Sequence, residues 1–289
     1  LLARLYAEQC VPPPTDTPGR SEWQEKPSSS SLQSPSDPDA TYGHKGKGYE
    51  AQIAETCDPA NPFQVTTAAS VNGANESDQH QVEPTLDQIE RTCGAVPETL
   101  HTDAGYGSGA NLVAAQARGT DLAAPIGSKG PEEHKASLRD FDMDAAGNVT
   151  KCPIGHAPVE NRALRAGVTR LAIFSDEACT GCSLRADCPT QTRWGRRILR
   201  YRATEVAVAR RRAEQETSAF KERHKIRSGI EATNSELKRC HGFGKLRVRR
   251  RPRVELSVRL KLLALNLKRY VSHLTQAATG VSAQPACAC

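Results

Sequence analysis

A pair of alternating segments places the strongest constraint on how this chain can fold. The segments run from Tyr49 to Thr56 and from Phe63 to Val71, and an Asp58-Pro59 turn signal lies between them. One face of the second segment carries Val65, Thr67, Ala69 and Val71. A two-residue period is typical of a half-buried β-strand, so the sequence predicts a β-hairpin.

Helical and extended patterns alternate after the hairpin. We predict a helix from Gln79 to Arg91 and a short strand from Thr99 to Thr102 that ends at Asp103. Ser108 is a suitable N-cap for a second helix that ends near Arg118, and a further strand is expected from Leu122 to Ile126. The order β-β-α-β-α-β predicts an α/β fold.

The second half of the chain begins without periodicity and then becomes helical. No regular pattern is found from Pro131 to Gln191. Arg196 to Arg202 is predicted to be a strand, and Ala203 to Arg239 favours helix with an interruption near Ser228-Gly229. The segment from Val254 to Val271 is apolar on more than one face, which predicts a buried helix.

Charge is distributed unevenly along the chain. The net charge is +6, yet residues up to Thr192 hold 15 Lys and Arg against 26 Asp and Glu, whereas residues from Arg193 onward hold 24 against 7. A basic region of this size favours a polyanion partner, because neutralised phosphates release counterions. The alternative is a solvated helical surface whose charges interact with the acidic part of the chain.

The sequence also bears on the cellular compartment. It contains neither an apolar run long enough for a membrane span nor a secretory signal, which predicts a cytoplasmic protein. The chain starts with Leu1 and Leu2, and Met143 is its single methionine. We therefore expect it to be a fragment of a longer protein.

Asp103 is the first candidate for a reactive group. It follows a predicted strand, and in α/β proteins the loops beyond strand ends collect functional side chains. Gly105 and Gly107 flank Tyr106 and favour a tight turn that exposes the carboxylate. A helix cap or an ordinary turn residue is the alternative interpretation.

Glu231 is the second candidate. In a helix, Arg227, Glu231 and Lys238 fall close to one stripe, so that two cations flank one carboxylate. Such a stripe suits a metal ion with phosphates beside it. The alternative is an exposed helix with an ordinary Arg–Glu pair.

Three motifs together resemble bacterial insertion-sequence transposases with an RNase H-like DDE domain, and the resemblance covers about 36–270. The motifs are YGHKGKGYEAQIAET at 42–56, DAGYGS at 103–108 and RSGIE at 227–231. Related transposases carry a Tyr-x2-Arg-x3-Glu-x6-Lys signature around the third acidic residue. Here Arg227, Glu231 and Lys238 match it, and His224 stands where the tyrosine is expected. The resemblance implies that Asp103 and Glu231 are the second and third catalytic, metal-binding carboxylates.

No candidate for the first carboxylate of the family is found in the sequence. Asp37 and Asp39 lie in a predicted linker, and Asp58 lies in the hairpin turn. The first strand of the sheet and its Asp are therefore expected upstream of Leu1. Two carboxylates alone bind a metal pair poorly, so we expect a truncated and inactive copy.

The resemblance also implies a fold and a division of the chain. The fold is an RNase H-like mixed sheet flanked by helices, with a cysteine-containing insertion before the C-terminal helices. The expected segments are a helix end with a Pro/Ser-rich linker (1–40), the first part of the catalytic domain (41–130), the cysteine-bearing insertion (131–192), the final strand and C-terminal helices (193–272) and a disordered tail (273–289).

The implied activity is metal-dependent cleavage at insertion-sequence ends followed by strand transfer to target DNA. Two Mg²⁺ or Mn²⁺ ions would assist an in-line displacement at phosphorus. Double-stranded DNA would be held by His224, Arg227 and Lys238 and by the basic run of Arg247, Arg249, Arg250, Arg251 and Arg253. A homodimer on paired DNA ends and association with the bacterial nucleoid are further expectations.

Four of the ten cysteines fall in one window, at Cys152, Cys179, Cys182 and Cys188. The Cys179-x2-Cys182 pair has the spacing of a zinc knuckle, but Cys152 and Cys188 do not form a second knuckle. A structural Zn²⁺ site and a set of reduced, partly buried thiols are the two interpretations. Neither gives these cysteines a catalytic role.

Two other classes of protein are alternatives to an active transposase. One is a non-catalytic DNA-binding remnant, which the missing first Asp favours. The other is a zinc-stabilised interaction protein without a DNA partner, which the basic C-terminal region opposes.

Overall fold

The computed structural model describes residues 1–11, 22–23, 28–127, 135–164 and 168–279. Parts of the predicted linker (12–21 and 24–27) and of the predicted tail (280–289) lie outside the described residues. The described chain is a mixed α/β protein with several sheets, and none of its helices is both long and apolar enough to cross a bilayer. It forms two compact units, 1–95 together with 227–289, and 96–226.

The predicted hairpin is the centre of the first unit. Its strands are β4 (Gly46–Glu55) and β5 (Thr66–Gly73), which pair antiparallel with Ile53 opposite Ala69. A short strand before them, β3 (Thr41–Gly43), pairs with β4 and was not predicted. The N-terminal elements of this unit are α1 (Leu2–Gln9), β1 (Cys10–Val11) and β2 (Glu22–Trp23), with β1 antiparallel to β2.

Helices pack against strand β5 and complete the first unit. They are α2 (Val82–Cys93), which follows a 3-10 turn at Asp78–Gln81, and α8 (Arg251–Thr279). Helix α7 (Ser228–Cys240) adds Leu237 to the same core. The core consists of Ala69, Val71, Leu237, Val254, Val258, Leu262 and Leu265.

Helix α8 corrects one expectation. A helix was predicted from Val254 to Val271, and it is present, but the prediction that it is buried is wrong. One face enters the core, whereas Leu256, Leu260 and Leu263 on another face are more than half exposed. Its sequence is apolar on two faces, and only one of them packs into the core of this unit. The helix also continues to Thr279, so 273–279 of the predicted tail are helical.

The second unit begins with a parallel strand pair. Strand β6 (Thr99–His101) and strand β7 (Asp121–Ala123) are parallel, and helix α3 (Gly109–Ala117) connects them. The Ser108 hydroxyl accepts a hydrogen bond from the N–H of Asn111 at 3.2 Å. This bond satisfies a backbone donor at the helix start, and it confirms the predicted N-cap.

The region without periodicity contains a sheet that the sequence pattern did not predict. Its antiparallel order is β10-β11-β13-β12. The strands of this sheet are β10 (Glu160–Leu164), β11 (Thr169–Ser175), β12 (Gln191–Arg193) and β13 (Arg196–Arg202), and helix α4 (Asp176–Thr180) follows β11. Two strands before it, β8 (Asp142–Met143) and β9 (Val149–Lys151), form a separate antiparallel pair. Strand β13 has its predicted bounds, but it pairs with β11 and β12 of the cysteine-bearing region.

The long helical stretch after β13 is divided into shorter helices. These are α5 (Ala203–Gln215), α6 (Ser218–His224) and a 3-10 turn at Lys225–Arg227, which leads into α7. An interruption was predicted near Ser228-Gly229, and the 3-10 turn at Lys225–Arg227 lies within one turn of that position. Helix α7 begins at Ser228, so that Glu231 stands on its first turn.

Candidate active site

Asp103 lies on the loop after β6, as the sequence predicts. The N–H of Thr102 reaches the carbonyl of Ala123 at 3.4 Å, so strand pairing fixes the backbone up to the residue before Asp103. The carboxylate is exposed and accepts a hydrogen bond from the N–H of Gly105 at 2.8 Å. This turn keeps the acidic side chain at the protein surface.

The glycine at position 107 is required by a close backbone approach. A Cβ at this position would lie 2.2 Å from the carbonyl oxygen of Pro125, far inside van der Waals contact. Any larger residue would push the loop away from the segment that follows β7. The absence of a side chain at position 107 therefore lets the Asp103 loop pack against the segment that follows β7.

His224 contacts the backbone beside Asp103. Its Nε2 atom lies 3.0 Å from the carbonyl oxygen of Thr102, and the two residues belong to the same unit. The ring stacks on Phe220 at 5.5 Å between centroids with 14° between planes. The sequence suggested a DNA contact for this histidine, and the geometry adds an internal role, since the ring braces the chain next to Asp103.

A charged cluster surrounds Phe220. The guanidinium carbons of Arg211 and Arg223 lie 5.3 and 5.6 Å from its ring centroid, within the range of cation–π attraction. Both arginines also bind Asp121 on β7, at 2.5 and 2.9 Å. Burial lowers the pKa of His101, and the nearby charges of Arg223 and His224 lower it further. The start of the β6–β7 pair is thus fixed by paired charges.

Glu231 and its predicted partners lie on α7 and the turn before it. The Arg227 guanidinium donates to Oε1 of Glu231 at 2.7 Å, and the Glu231 side chain is 61% exposed. Lys238 is also exposed on the same helix. The stripe predicted from spacing is therefore present, and its carboxylate is accessible to solvent.

The opposite side of α7 carries a buried polar cluster that the sequence analysis missed. The Thr233 hydroxyl donates to Glu55 at 2.8 Å, and Arg269 binds Glu55 at 3.0 Å and the Thr233 oxygen at 2.6 Å. The Glu55 side chain is only 7% exposed. This cluster joins β4, α7 and α8, and so fixes the helix that carries Glu231.

Asp37 and Asp39 are engaged in the structure of the first unit. Asp37 accepts hydrogen bonds from the Tyr49 hydroxyl at 2.6 Å and the Arg250 N–H at 2.9 Å, and Asp39 accepts one from the Arg251 N–H at 3.1 Å. Burial raises the pKa of Tyr49, and the Asp37 bond adds to the rise. Both aspartates bind the start of α8, which gives them a structural role. The first strand of the sheet was expected upstream of Leu1. The structure places a strand, β3, ahead of the hairpin and within this chain.

The candidate residues are divided between the two units. Asp103 and His224 belong to 96–226, whereas Arg227, Glu231 and Lys238 belong to the unit that includes 227–289.

The basic run before α8 contains two kinds of arginine. Arg251 is committed, because its guanidinium binds Asn72 at 3.1 Å and lies 3.6 Å from Glu76. The side chains of Arg247, Arg249 and Arg253 are exposed, and no acidic side chain in the described ranges forms an ion pair with them. These three arginines suit contacts with phosphates.

The four clustered cysteines line one small cavity together with His156. The cavity measures about 20 Å³, and the Thr190 hydroxyl lies 3.2 Å from the Cys188 sulfur. Burial raises the pKa of the Cys179 thiol. Within the residues that the structure describes, however, no group of three or more His, Cys, Asp or Glu side chains has an arrangement that could hold a metal ion.

Comparison with known proteins identifies one family. No curated protein and no solved structure matches the chain. Residues 151–271 match the family model described as the transposase DDE domain, and this range includes Arg227, Glu231 and Lys238 with the sheet and helices that lead to them. The resemblance drawn from the sequence motifs, to a C-terminal transposase DDE domain, is thereby confirmed over these residues.

Proposed function

We propose that this protein is a DDE-type DNA transposase that cleaves at insertion-sequence ends and transfers the freed strands to target DNA. The observation that carries the proposal is the transposase match over 151–271, which includes Glu231 on the exposed side of α7 and its ion pair with Arg227. An RNase H-like fold is part of the proposal. The order of hairpin, α2 and the parallel β6–β7 pair supports it.

The two candidate carboxylates fit the chemistry of a divalent metal. Asp103 and Glu231 are both exposed, and each uses one oxygen in a local hydrogen bond. Carboxylate oxygens are the ligands that Mg²⁺ and Mn²⁺ prefer. When bound, such ions activate the attacking oxygen and stabilise the leaving oxygen of a displacement at phosphorus.

Other side chains of the chain would orient the carboxylates and the DNA. Arg227 restricts Glu231 through their 2.7 Å hydrogen bond, and its remaining N–H groups can bind a phosphate oxygen. Lys238 supplies a second cation on the same helix. His224 holds the Thr102 carbonyl and so limits the movement of the Asp103 loop.

Sequence-independent contacts with DNA would come from the basic run. Arg247, Arg249 and Arg253 are exposed and suit phosphates, whereas Arg251 supports the fold. A DNA partner places the protein at the nucleoid, and two copies on paired ends complete the proposed assembly.

A structural zinc site is proposed for the cysteine-bearing region. All four thiols line the same cavity of about 20 Å³, which is about the volume that one water-sized particle needs. The four thiols are not already arranged as a group that could hold a metal ion, so zinc binding would require the sulfurs to move closer together. We expect one zinc per purified chain by elemental analysis, lost in Cys182→Ser and kept in the exposed control Cys240→Ser. A folded wild-type chain without zinc contradicts this site.

The catalytic proposal is tested with a nicking and strand-transfer assay in Mg²⁺ or Mn²⁺ on DNA that carries the element's own ends. The chain is compared with a version extended upstream in the same reading frame. We expect activity only in the extended protein, because Asp103 and Glu231 alone hold a metal pair poorly. Activity of the chain alone would mean that the third carboxylate lies within it.

Matched substitutions separate catalysis from folding. In the active protein, Asp103→Asn and Glu231→Gln should abolish both reactions, whereas Asp142→Asn and Glu222→Gln remove exposed carboxylates elsewhere and should leave them intact. Retained DNA binding without cleavage in every version would favour the non-catalytic remnant. Full activity of Glu231→Gln would exclude the proposed site.

A further inference from the structure

Helix α8 carries a second apolar face in addition to the one in the core. The core face includes Val254, Val258, Leu262 and Leu265, which are at most 5% exposed. The other face, named the outer stripe, has side chains that are 48% to 59% exposed. The outer stripe consists of Leu256, Leu260, Leu263, Leu267, Tyr270 and Leu274.

The spacing of the outer stripe is that of a coiled-coil seam. Its residues follow one another at steps of four, three, four, three and four, an alternation that repeats every seven residues. This period keeps the apolar side chains facing a partner helix over a long distance. From Leu256 to Leu274 the stripe runs roughly 27 Å along the helix axis. A helix that had to satisfy only its own core would not require such a second repeat.

The residues beside the stripe are compatible with a second copy of the same helix. They are Ser257, Ala264 and Val271 on one side and Arg259, Asn266 and His273 on the other. Arg259 is already paired with Glu255 at 2.5 Å. Two copies would therefore meet without unpaired like charges, which are the usual obstacle to self-pairing. A charge-poor Leu stripe also offers little to a nucleic-acid backbone.

The area of the outer stripe is sufficient for a dimer. Six large side chains, each about half exposed, present on the order of 600 Å² per copy, so that two copies would bury roughly 1,200 Å², the lower bound for a specific interface. A patch of about 600 Å² is at the upper end of what a monomer exposes, and such patches are often functional. A twofold pairing makes the same stripe serve both partners.

We propose that two copies of this chain associate through the outer stripe of α8, as a pair of helices packed along their Leu seam. The pairing deepens the dimer that is part of the proposed function, yet it does not depend on catalysis or DNA. Failure of one proposal therefore leaves the other intact.

The proposal is tested by sedimentation velocity of the full chain without DNA. At about 10 to 100 µM, above the micromolar dissociation constant expected of a small interface, the wild type should sediment as a dimer. The double variant Leu263→Glu, Leu267→Glu should be monomeric, because it places four carboxylates in the seam of the pair. Ser272→Glu adds a charge to the same helix outside the stripe and should remain dimeric.

Thermal unfolding accompanies the measurement, since the substituted leucines are exposed and their replacement should leave the monomer folded. A mixture of Leu263→Glu with Leu263→Lys should recover the dimer in a parallel pair, and a mixture of Leu263→Glu with Leu267→Lys should recover it in an antiparallel pair. A monomeric wild type overturns the proposal. A double variant that is folded and still dimeric overturns it equally.

Discussion

At the scale of single residues, His224 occupies the position where related transposases have a tyrosine. Its Nε2 atom binds the Thr102 carbonyl at 3.0 Å, and the two residues are 122 positions apart in the chain. The ring also stacks on Phe220. We interpret the histidine as a positioning residue, which acts on catalysis through the backbone that carries Asp103.

We predict that His224→Phe weakens metal use without unfolding the protein. Phenylalanine keeps the stacked ring but loses the bond to Thr102, which is worth about 1 kcal/mol, or roughly fivefold in an equilibrium. In whichever version of the protein cleaves DNA, the Mg²⁺ concentration for half-maximal cleavage should rise by about that factor. The measurement is a metal titration of the cleavage rate, with a thermal melt of each variant.

Rescue by a conservative variant distinguishes positioning from simple packing. His224→Gln places an amide N–H near the position of Nε2 and should restore much of the wild-type metal dependence, although it loses the stacked ring. If His224→Gln is as impaired as His224→Phe, or if His224→Phe behaves as wild type, the hydrogen bond to Thr102 does not position Asp103.

At the scale of elements, the buried Glu55–Thr233–Arg269 cluster joins one strand and two helices. Arg269 is 19% exposed and Glu55 7% exposed, so their charges are largely removed from water. Loss of one partner of such a pair leaves a buried charge without compensation, which costs more than the pair itself contributes. The cluster should therefore fix α7 and α8 on β4 more firmly than surface ion pairs do.

We predict that Arg269→Met lowers the free energy of unfolding by about 3 kcal/mol. Arg259→Met is the matched control on the same helix, because Arg259 pairs with Glu255 at the surface, and its effect should stay below about 1 kcal/mol. Urea denaturation followed by circular dichroism measures both. Equal effects in the two variants would show that the buried cluster contributes no more than an exposed pair.

The elements also show what local sequence patterns can predict. The β4–β5 hairpin, strands β6, β7 and β13 and the Ser108 cap depend on neighbouring residues, and each was predicted. The parallel pairing of β6 with β7 was not predicted. Strand β10 was missed because four of its five residues are exposed, so that no apolar alternation marks it. It is held by pairing with β11. The Glu55–Arg269 bond joins residues 214 positions apart, which no local pattern indicates.

For the candidate site, too, short motifs pointed to individual residues but not to the contacts between them. Asp103 and Glu231 were proposed from short motifs, and both lie at the surface; their catalytic role stays a prediction. The internal contact of His224 was not predicted, because it depends on the packing of α6 against the β6–β7 end. Likewise, two apolar faces on α8 indicated burial, although only packing decides which face enters the core.

At the scale of the whole molecule, charge and structure divide the chain differently. The basic residues concentrate after Thr192, and this region spans parts of both compact units. Many of its arginines are committed to the fold, as Arg211, Arg251 and Arg269 are. Net charge alone therefore overstates the surface that DNA can use. The exposed arginines of the basic run provide a sharper test than the total charge.

We predict that the triple variant Arg247→Ala, Arg249→Ala, Arg253→Ala lowers the salt dependence of DNA binding. Log affinity falls with log salt concentration, and each phosphate contact adds about 0.9 to the steepness of that fall. The steepness should therefore decrease by between about 2 and 3, or about one unit per contact. Fluorescence anisotropy on duplex DNA between low and moderate salt measures it. Because phosphate contacts carry no sequence information, the loss should be similar for the element's ends and for unrelated DNA.

The control removes the same charge from elsewhere on the chain. Lys47→Ala, Lys151→Ala, Arg162→Ala replaces three exposed cations in the acidic part of the sequence and should leave the slope nearly unchanged. An equal fall in both triple variants would mean that DNA responds to the net charge of the protein. A slope unaffected by either would mean that the basic run is a solvated surface, and that any bound DNA is held by other residues.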